Sequence, residues 1–282
     1  MTRHPGRTDH AECGTLPPRQ SFQLLKTQWG DGMRNGIPGL LGVLAVSALL
    51  TGCHGVTASE RDTVEESRPL EAGGRFAVEN TNGRIEVYTW DRNEVRIEAE
   101  RAASSRRALE DIEIEIEAGD NEVRVKTRLP RFGFFGGSSH VNYNISVPRG
   151  VHLEVQSVNG RVRIEDASAS LQASTVNGRV EIEGTPTDVE ASTVNGSVEA
   201  RYESIPAGGR HHYSATNGSL TLHLPAETQG HFLASTVNGG IGSDLPLEVE
   251  GKFHKRIDAR LGEGGGDYEL STVNGSIKIR EG

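Results

Sequence analysis

The sequence predicts an all-β chain of short stacked strands, and three observations carry that prediction. Glycine takes 35 of 282 positions while aromatic residues supply only 5%, a composition of many tight turns. Asn-Gly pairs occur eight times, where the composition alone yields about two. Seven of them, beginning at Asn82, Asn159, Asn177, Asn195, Asn217, Asn238 and Asn274, are flanked on both sides by alternating apolar and polar residues. Their spacings of 77, 18, 18, 22, 21 and 36 set a unit of 18 to 22 residues, with the 36 read as two units. Such a period marks an array of stacked supersecondary units.

Residues 1–32 read as an extension upstream of a true start at Met33, because a secretory signal begins close to its initiator. Residues 33–52 read as that signal: Arg34 precedes the apolar run Leu40 to Leu50, which is too short to span a membrane as a mature helix. The ending Leu50-Thr51-Gly52-Cys53 resembles the bacterial lipobox. That resemblance implies that the Cys53 thiol receives a lipid and becomes the mature N-terminus, at the bacterial cell envelope. Cys13 falls in the extension, so the mature chain is expected to hold no disulfide and no cysteine metal site. Residues 53–69 are polar and charged, with almost no large apolar residue, and predict a flexible tether.

Residues 70–282 are the expected folded domain. Three positions after each Asn stand Ile85, Val162, Val180, Val198, Leu220, Ile241 and Ile277; four before stand Val78, Val155, Ala173, Ala191, Tyr213, Ala234 and Leu270. Both arms therefore bury one face with period two. The arms have opposite parity about Asn, so the apolar phase slips at the corner, where Asn and Gly tolerate positive φ. The residue before Asn is always β-branched and is expected to pack inward. Asn-Gly also signals a hairpin tip. The repeated Ser-Thr-Val-Asn-Gly at 174–178, 192–196, 235–239 and 271–275 instead favours like stacked on like, hence a solenoid with a ladder of Asn corners. Outward charges such as Arg163 and Glu181 then meet on neighbouring rungs as a solubilising face.

Between the first two corners, strands are expected at 95–99, 112–116, 122–127 and 141–147, with a short helix at 104–111 capped by Ser104 or Ser105. The last copy ends at Ile279, which places Lys278 and Arg280 on the final exposed rung. The segment Glu79-Asn80-Thr81-Asn82-Gly83 with Ile85 and Val87, then Trp90-Asp91, the strand Val95 to Ala99, and Val147-Pro148-Arg149-Gly150 resemble the bacterial putative-adhesin domain family, a β-solenoid family of unknown function. The resemblance spans roughly residues 70–282 and implies a right-handed, single-stranded solenoid.

The chain is acidic, with net charge -9 and pI near 5.6, which disfavours a nucleic-acid partner. Its histidines share no ligand spacing, and His211 and His212, being adjacent, point to opposite sides of a strand, so no metal or other cofactor is expected. Gly264-Gly265-Gly266-Asp267 occurs once and reads as a corner loop, not a repeated calcium turn. Phe132, Phe134 and Phe135 cluster in one glycine-rich loop as a possible contact surface, against the alternative that they cap the core. The leading expectation is a non-enzymatic scaffold for a protein or glycan ligand. The alternative is a glycan-active β-helix enzyme, which needs carboxylates converging on a groove.

Overall fold

The computed structural model describes residues 60–129, 139–205, 208–247, 249–250 and 255–282. The expected extension, the signal, Cys53, and Phe132, Phe134 and Phe135 lie outside these residues. In chain order the strands are β1 (Glu60–Pro69), β2 (Arg75–Asn82), β3 (Ile85–Trp90) and β4 (Glu94–Ala103), then β5 (Glu113–Gly119), β6 (Glu122–Arg128) and β7 (Ser139–Pro148). The dense repeats follow as β8 (His152–Asn159), β9 (Val162–Ala167), β10 (Leu171–Asn177), β11 (Val180–Gly184), β12 (Val189–Asn195), β13 (Val198–Tyr202), β14 (Arg210–Asn217) and β15 (Leu220–Leu224). The chain closes with β16 (Gly230–Asn238), β17 (Ile241–Ser243), β18 (Val249–Glu250), β19 (Arg256–Leu261), β20 (Gly266–Asn274) and β21 (Ile277–Glu281). One helical turn, α1 (Arg106–Glu110), is capped as expected by the Ser105 side chain, which accepts from the Ala108 N–H at 3.2 Å.

The strands form two long sheets, which corrects the expected single-stranded solenoid. One has the order β1-β4-β7-β3-β9-β11-β13-β15-β21-β17, the other β18-β19-β16-β20-β14-β12-β10-β8-β2-β6-β5. Each Asn-Gly unit, here called a rung, gives its first arm to the eleven-stranded sheet and its second to the ten-stranded sheet. The parity slip at the corner explains this, because an arm that has changed sheets must turn its other side to the shared core. Like columns stack in register, as Ala173 on Ala191 and Val180 on Val198. Between the sheets lies one apolar core, with Phe76, Val78, Ile85, Val87, Val155, Ile164 and Phe232 fully buried.

The ends depart from simple repetition. Residues 60–69, expected within the tether, form β1, which pairs antiparallel with β4. Its composition misled because a charged edge strand and a tether look alike in sequence. Arg61 meets Glu100 at 2.8 Å, Arg96 meets Glu65 at 3.1 Å, and the charges keep the sheet edge from templating another chain. The four strands expected between the first two corners are present as β4 to β7, although β4 and β5 run antiparallel to their neighbours. At the other end, the described residues of the 36-residue interval form no second ladder unit. The interval holds the β18–β19 pair, which lies outside β16, while β20 and β21 insert one rung inward. Lys278 and Arg280 are thus on an interior rung, with Arg280 bonded to Asp244 at 2.9 Å.

Candidate functional site

The outer face of the eleven-stranded sheet carries the features that could meet a partner, and the Asn corners set its geometry. The seven asparagines stack in the order Asn82, Asn159, Asn177, Asn195, Asn217, Asn274, Asn238. Each side-chain N–H donates to the amide oxygen of the next toward Asn82, at 2.8 to 2.9 Å. Asn82 closes the row by donating to the Ser139 carbonyl at 3.1 Å. One polarity runs throughout, so each bond polarises the next.

The positive φ expected of the corner glycine is met at Gly83 and Gly196, at +114° and +156°, and glycine at these corners also answers a second constraint. Among the described residues, the non-glycine ones with positive φ are Asn121 and Asp166, neither of them in the ladder. A Cβ on Gly160, Gly178, Gly218, Gly239 or Gly275 would lie 1.4 to 1.9 Å from the carbonyl oxygen of the glycine one rung away. Backbone stacks on backbone here, and there is no room for a side chain. Those carbonyls are covered from inside by buried hydroxyls: Thr175 donates to Gly160 and Thr193 to Gly178, both at 3.2 Å.

The residue before Asn points outward, not into the corner. Val158, Val176, Val194, Val273 and Val237 are 40%, 39%, 41%, 43% and 59% exposed, and they are the exposed large apolar residues among those described. They occupy one column across successive rungs, interrupted by Thr216. The signal was present in the alternation: if the second, fourth and sixth positions before Asn face inward, the first faces out.

On the same face, toward the strand starts, a groove of about 660 Å³ crosses β2, β8, β10, β12 and β14. Arg75 and Arg210 stand at its two ends, with Glu154, Asp188 and Glu190 between them. At about 4.8 Å per strand, those ends are roughly 19 Å apart. Sequence inspection missed it, because it lies in columns five and seven before Asn, whose chemistry changes from each rung to the next. On the ten-stranded sheet, Arg163 does stand in register with Glu181, yet its ion pair is with Glu165 at 2.5 Å. Arg161 and Arg179 share Glu181 at 3.6 and 3.3 Å. These surface pairs each contribute little to stability.

His211 and His212 separate as expected. His212 faces out and meets Glu269 at 3.2 Å. His211 is buried, stacked on Tyr268 with centroids 4.7 Å apart, and its Nδ1 lies 2.7 Å from the Tyr202 hydroxyl. Burial pushes its pKa down to about 4; the carboxylates of Asp188 and Asp267 and the Gly208 backbone oppose this only in part. Among the described residues, no group of three or more His, Cys, Asp or Glu is placed to hold a metal ion. Nor is any helix there long and apolar enough to cross a membrane.

Among solved structures, a putative cell adhesion protein from Clostridium sporogenes is similar at 14% identity and TM-score 0.44, covering 78% of this chain and all of its own. A putative adhesin from Bacteroides fragilis aligns at 12% identity and TM-score 0.33, covering 77% of this chain and 97% of its own. A putative adhesin from Parabacteroides merdae aligns at 7% and 0.27, over 77% of this chain and 95% of its own. No curated protein matches the sequence. The Toastrack DUF4097 family model matches residues 51–280, nearly the whole two-sheet body with its Asn-Gly corners, and the chain belongs to that family.

Proposed function

We propose that the chain is a non-enzymatic lipoprotein of the bacterial cell envelope, held by a lipid on Cys53, whose stacked rungs form a rigid adhesin-like scaffold for an extended glycan. The right-handed winding implied by the family resemblance belongs to the same reading. The observation that carries it is the composition of one sheet face: a row of exposed valines along one flank and a charged groove along the other. Sugar rings offer apolar C–H faces and polar hydroxyls together, and this face offers both kinds of contact in straight rows that β-stacking holds rigid. A glycan array probed with the soluble domain tests it. Replacing Val158, Val176 and Val194 together by the near-isosteric Thr should lower array binding at least tenfold with the melting temperature little changed. Equal binding by the variant refutes the valine row as a contact, and binding to envelope proteins but to no glycan refutes the ligand class.

A glycan-active hydrolase or lyase is the second reading, drawn from Glu154, Asp188 and Glu190 in the groove. A reducing-sugar assay on the array's positive glycans separates the two; product release establishes the enzyme and overturns the scaffold. The anchor has its own test. Mass spectrometry of the mature N-terminus should find a diacylglycerol-modified Cys53, and an unmodified thiol refutes attachment there.

A further inference from the structure

The end of the chain is built into the middle of the stack. Strand β20 lies between β14 and β16, and β21 between β15 and β17. Residues 266–281 therefore fill a gap between two rungs made by earlier residues. Asn274 donates to Asn217 and accepts from Asn238, both at 2.8 Å. The Tyr268 ring sits between His211 and Phe232, at centroid distances of 4.7 and 4.8 Å. His231 of β16 reaches Asp267 of β20 at 3.6 Å.

The connection into this gap is short. Strand β19 lies on the far side of β16, and both Leu261 and Gly266 stand in register with Gly230. The chain must therefore cross over the start of β16 using only residues 262–265. Gly262 and Gly265 have φ of +72° and +84°, and a Cβ on Gly265 would lie 1.8 Å from the Gln229 carbonyl oxygen. Short, tight hinge loops favour exchange of the element they carry. The gap also does not discriminate between chains. Ser271 to Gly275 repeats the pentapeptide of Ser235 to Gly239, and each contact described above is to a neighbouring rung.

We propose that the gap between the β14–β15 and β16–β17 rungs accepts residues 266–282 of a second copy of this chain, giving a reciprocally swapped dimer. Every ladder bond is kept in the exchange, while the tight crossover opens into a link between the two bodies. The difference between the two forms reduces to hinge relief against the entropy of association, so protein concentration sets their ratio. This inference stands independently of the ligand proposed above.

Residues 54–282 contain no cysteine, which allows a cross-link test. Ser214 and Ser271 are directly opposite on β14 and β20. Neighbouring strands, about 4.8 Å apart, are within disulfide reach. Ser214→Cys and Ser271→Cys are made in separate chains, mixed, unfolded, refolded together at high concentration and oxidised. A Cys at 214 can join a Cys at 271 at this seam only if β20 of one chain lies against β14 of the other. We expect a heterodimer carrying that linkage by peptide mass spectrometry, its yield falling when refolding is done at tenfold dilution. Two folded variants that never give the linkage, or give 214–214 and 271–271 dimers as readily, overturn the proposal.

Deleting Gly262, Glu263 and Gly264 is the second test. It leaves two Cα steps, at most about 7.6 Å, to bridge two strand spacings of about 9.6 Å together. The deletion chain should run as a dimer at every concentration by light scattering, and a folded monomer overturns the proposal. If the deletion prevents folding, the cross-link result decides.

Discussion

Gly178→Ala should destabilise the domain by roughly 3–5 kcal/mol, among the largest single-site losses a folded protein shows. The new Cβ would sit 1.9 Å from the Gly160 carbonyl oxygen and 2.7 Å from its carbon. Relieving the clash requires the two rungs to part by about 1 Å or more, since non-bonded atoms settle near 3.5 Å. That movement breaks the Gly160 N–H bond to the Asn177 carbonyl, now 3.1 Å, and stretches the Asn177 to Asn159 amide bond, now 2.8 Å. It also pulls the Thr175 hydroxyl away from the carbonyl it satisfies. Gly240→Ala is the control: a Cβ there meets nothing within 4 Å and should cost no more than about 0.5 kcal/mol. Urea denaturation of the two variants beside the parent chain measures the contrast. A loss below about 1 kcal/mol for Gly178→Ala would show that the corners are not in backbone contact.

Acidification should weaken the fold through His211. Folding lowers the pKa of this ring from its ordinary 6.5 to about 4, first because burial disfavours the charged form. The unfolded chain therefore holds the proton more tightly. Stability supplied by the neutral ring is fully present above about pH 6.5 and is lost as pH falls toward 4, by roughly 3 kcal/mol in all. Facing the ring are the Tyr202 hydroxyl on its Nδ1 and the Tyr268 ring stacked against it, with the carboxylates of Asp188 and Asp267 nearby. Burial raises the pKa of Tyr202, Tyr213 and Tyr268, so these hydroxyls stay neutral throughout the window. The two carboxylates favour the imidazolium and limit the loss. His211→Phe keeps the stack on Tyr268 and removes the titration, while Tyr202 retains its 2.6 Å bond to Tyr213. Unfolding free energies measured from pH 7.5 to 4.5 should fall for the parent more steeply than for the variant. Parallel curves would locate the acid sensitivity elsewhere.

His211 on β14 and Tyr268 on β20 also form part of the seam along which the last rung would exchange. Acid that charges His211 loosens the contact that holds the inserted strand. The contact is the same in both forms, so pH 5 should speed their interconversion relative to pH 7.5 and leave their equilibrium ratio unchanged.

How much of the site was legible depended on which residues repeat. The Asn corners stood out because one residue type recurs where like must stack on like. The valine row is visible as a β-branched column, but the inward side expected for it is wrong, because the corner does not turn around that residue. In fact Val176 keeps the strand's alternation up to Asn177, and the chain changes sheets only afterwards. The groove left no sequence signature, since the column of Arg75, His152, Ser170, Asp188 and Arg210 changes chemistry from each rung to the next.

From the sequence alone came the all-β class, the length of the repeating unit, the inward columns of both arms and the in-register stacking of like residues. These are local or periodic properties, recorded in the order of apolar and polar residues. Tertiary structure decided that the two arms belong to different sheets, that a charged segment could be the edge strand β1, and that the final rung lies inside the stack. Those outcomes turn on which strand edges meet. Identical pentapeptides offer the same edge on several rungs, so the order of stacking is set by the loops that carry the chain between them, above all by the glycine crossover at residues 262–265.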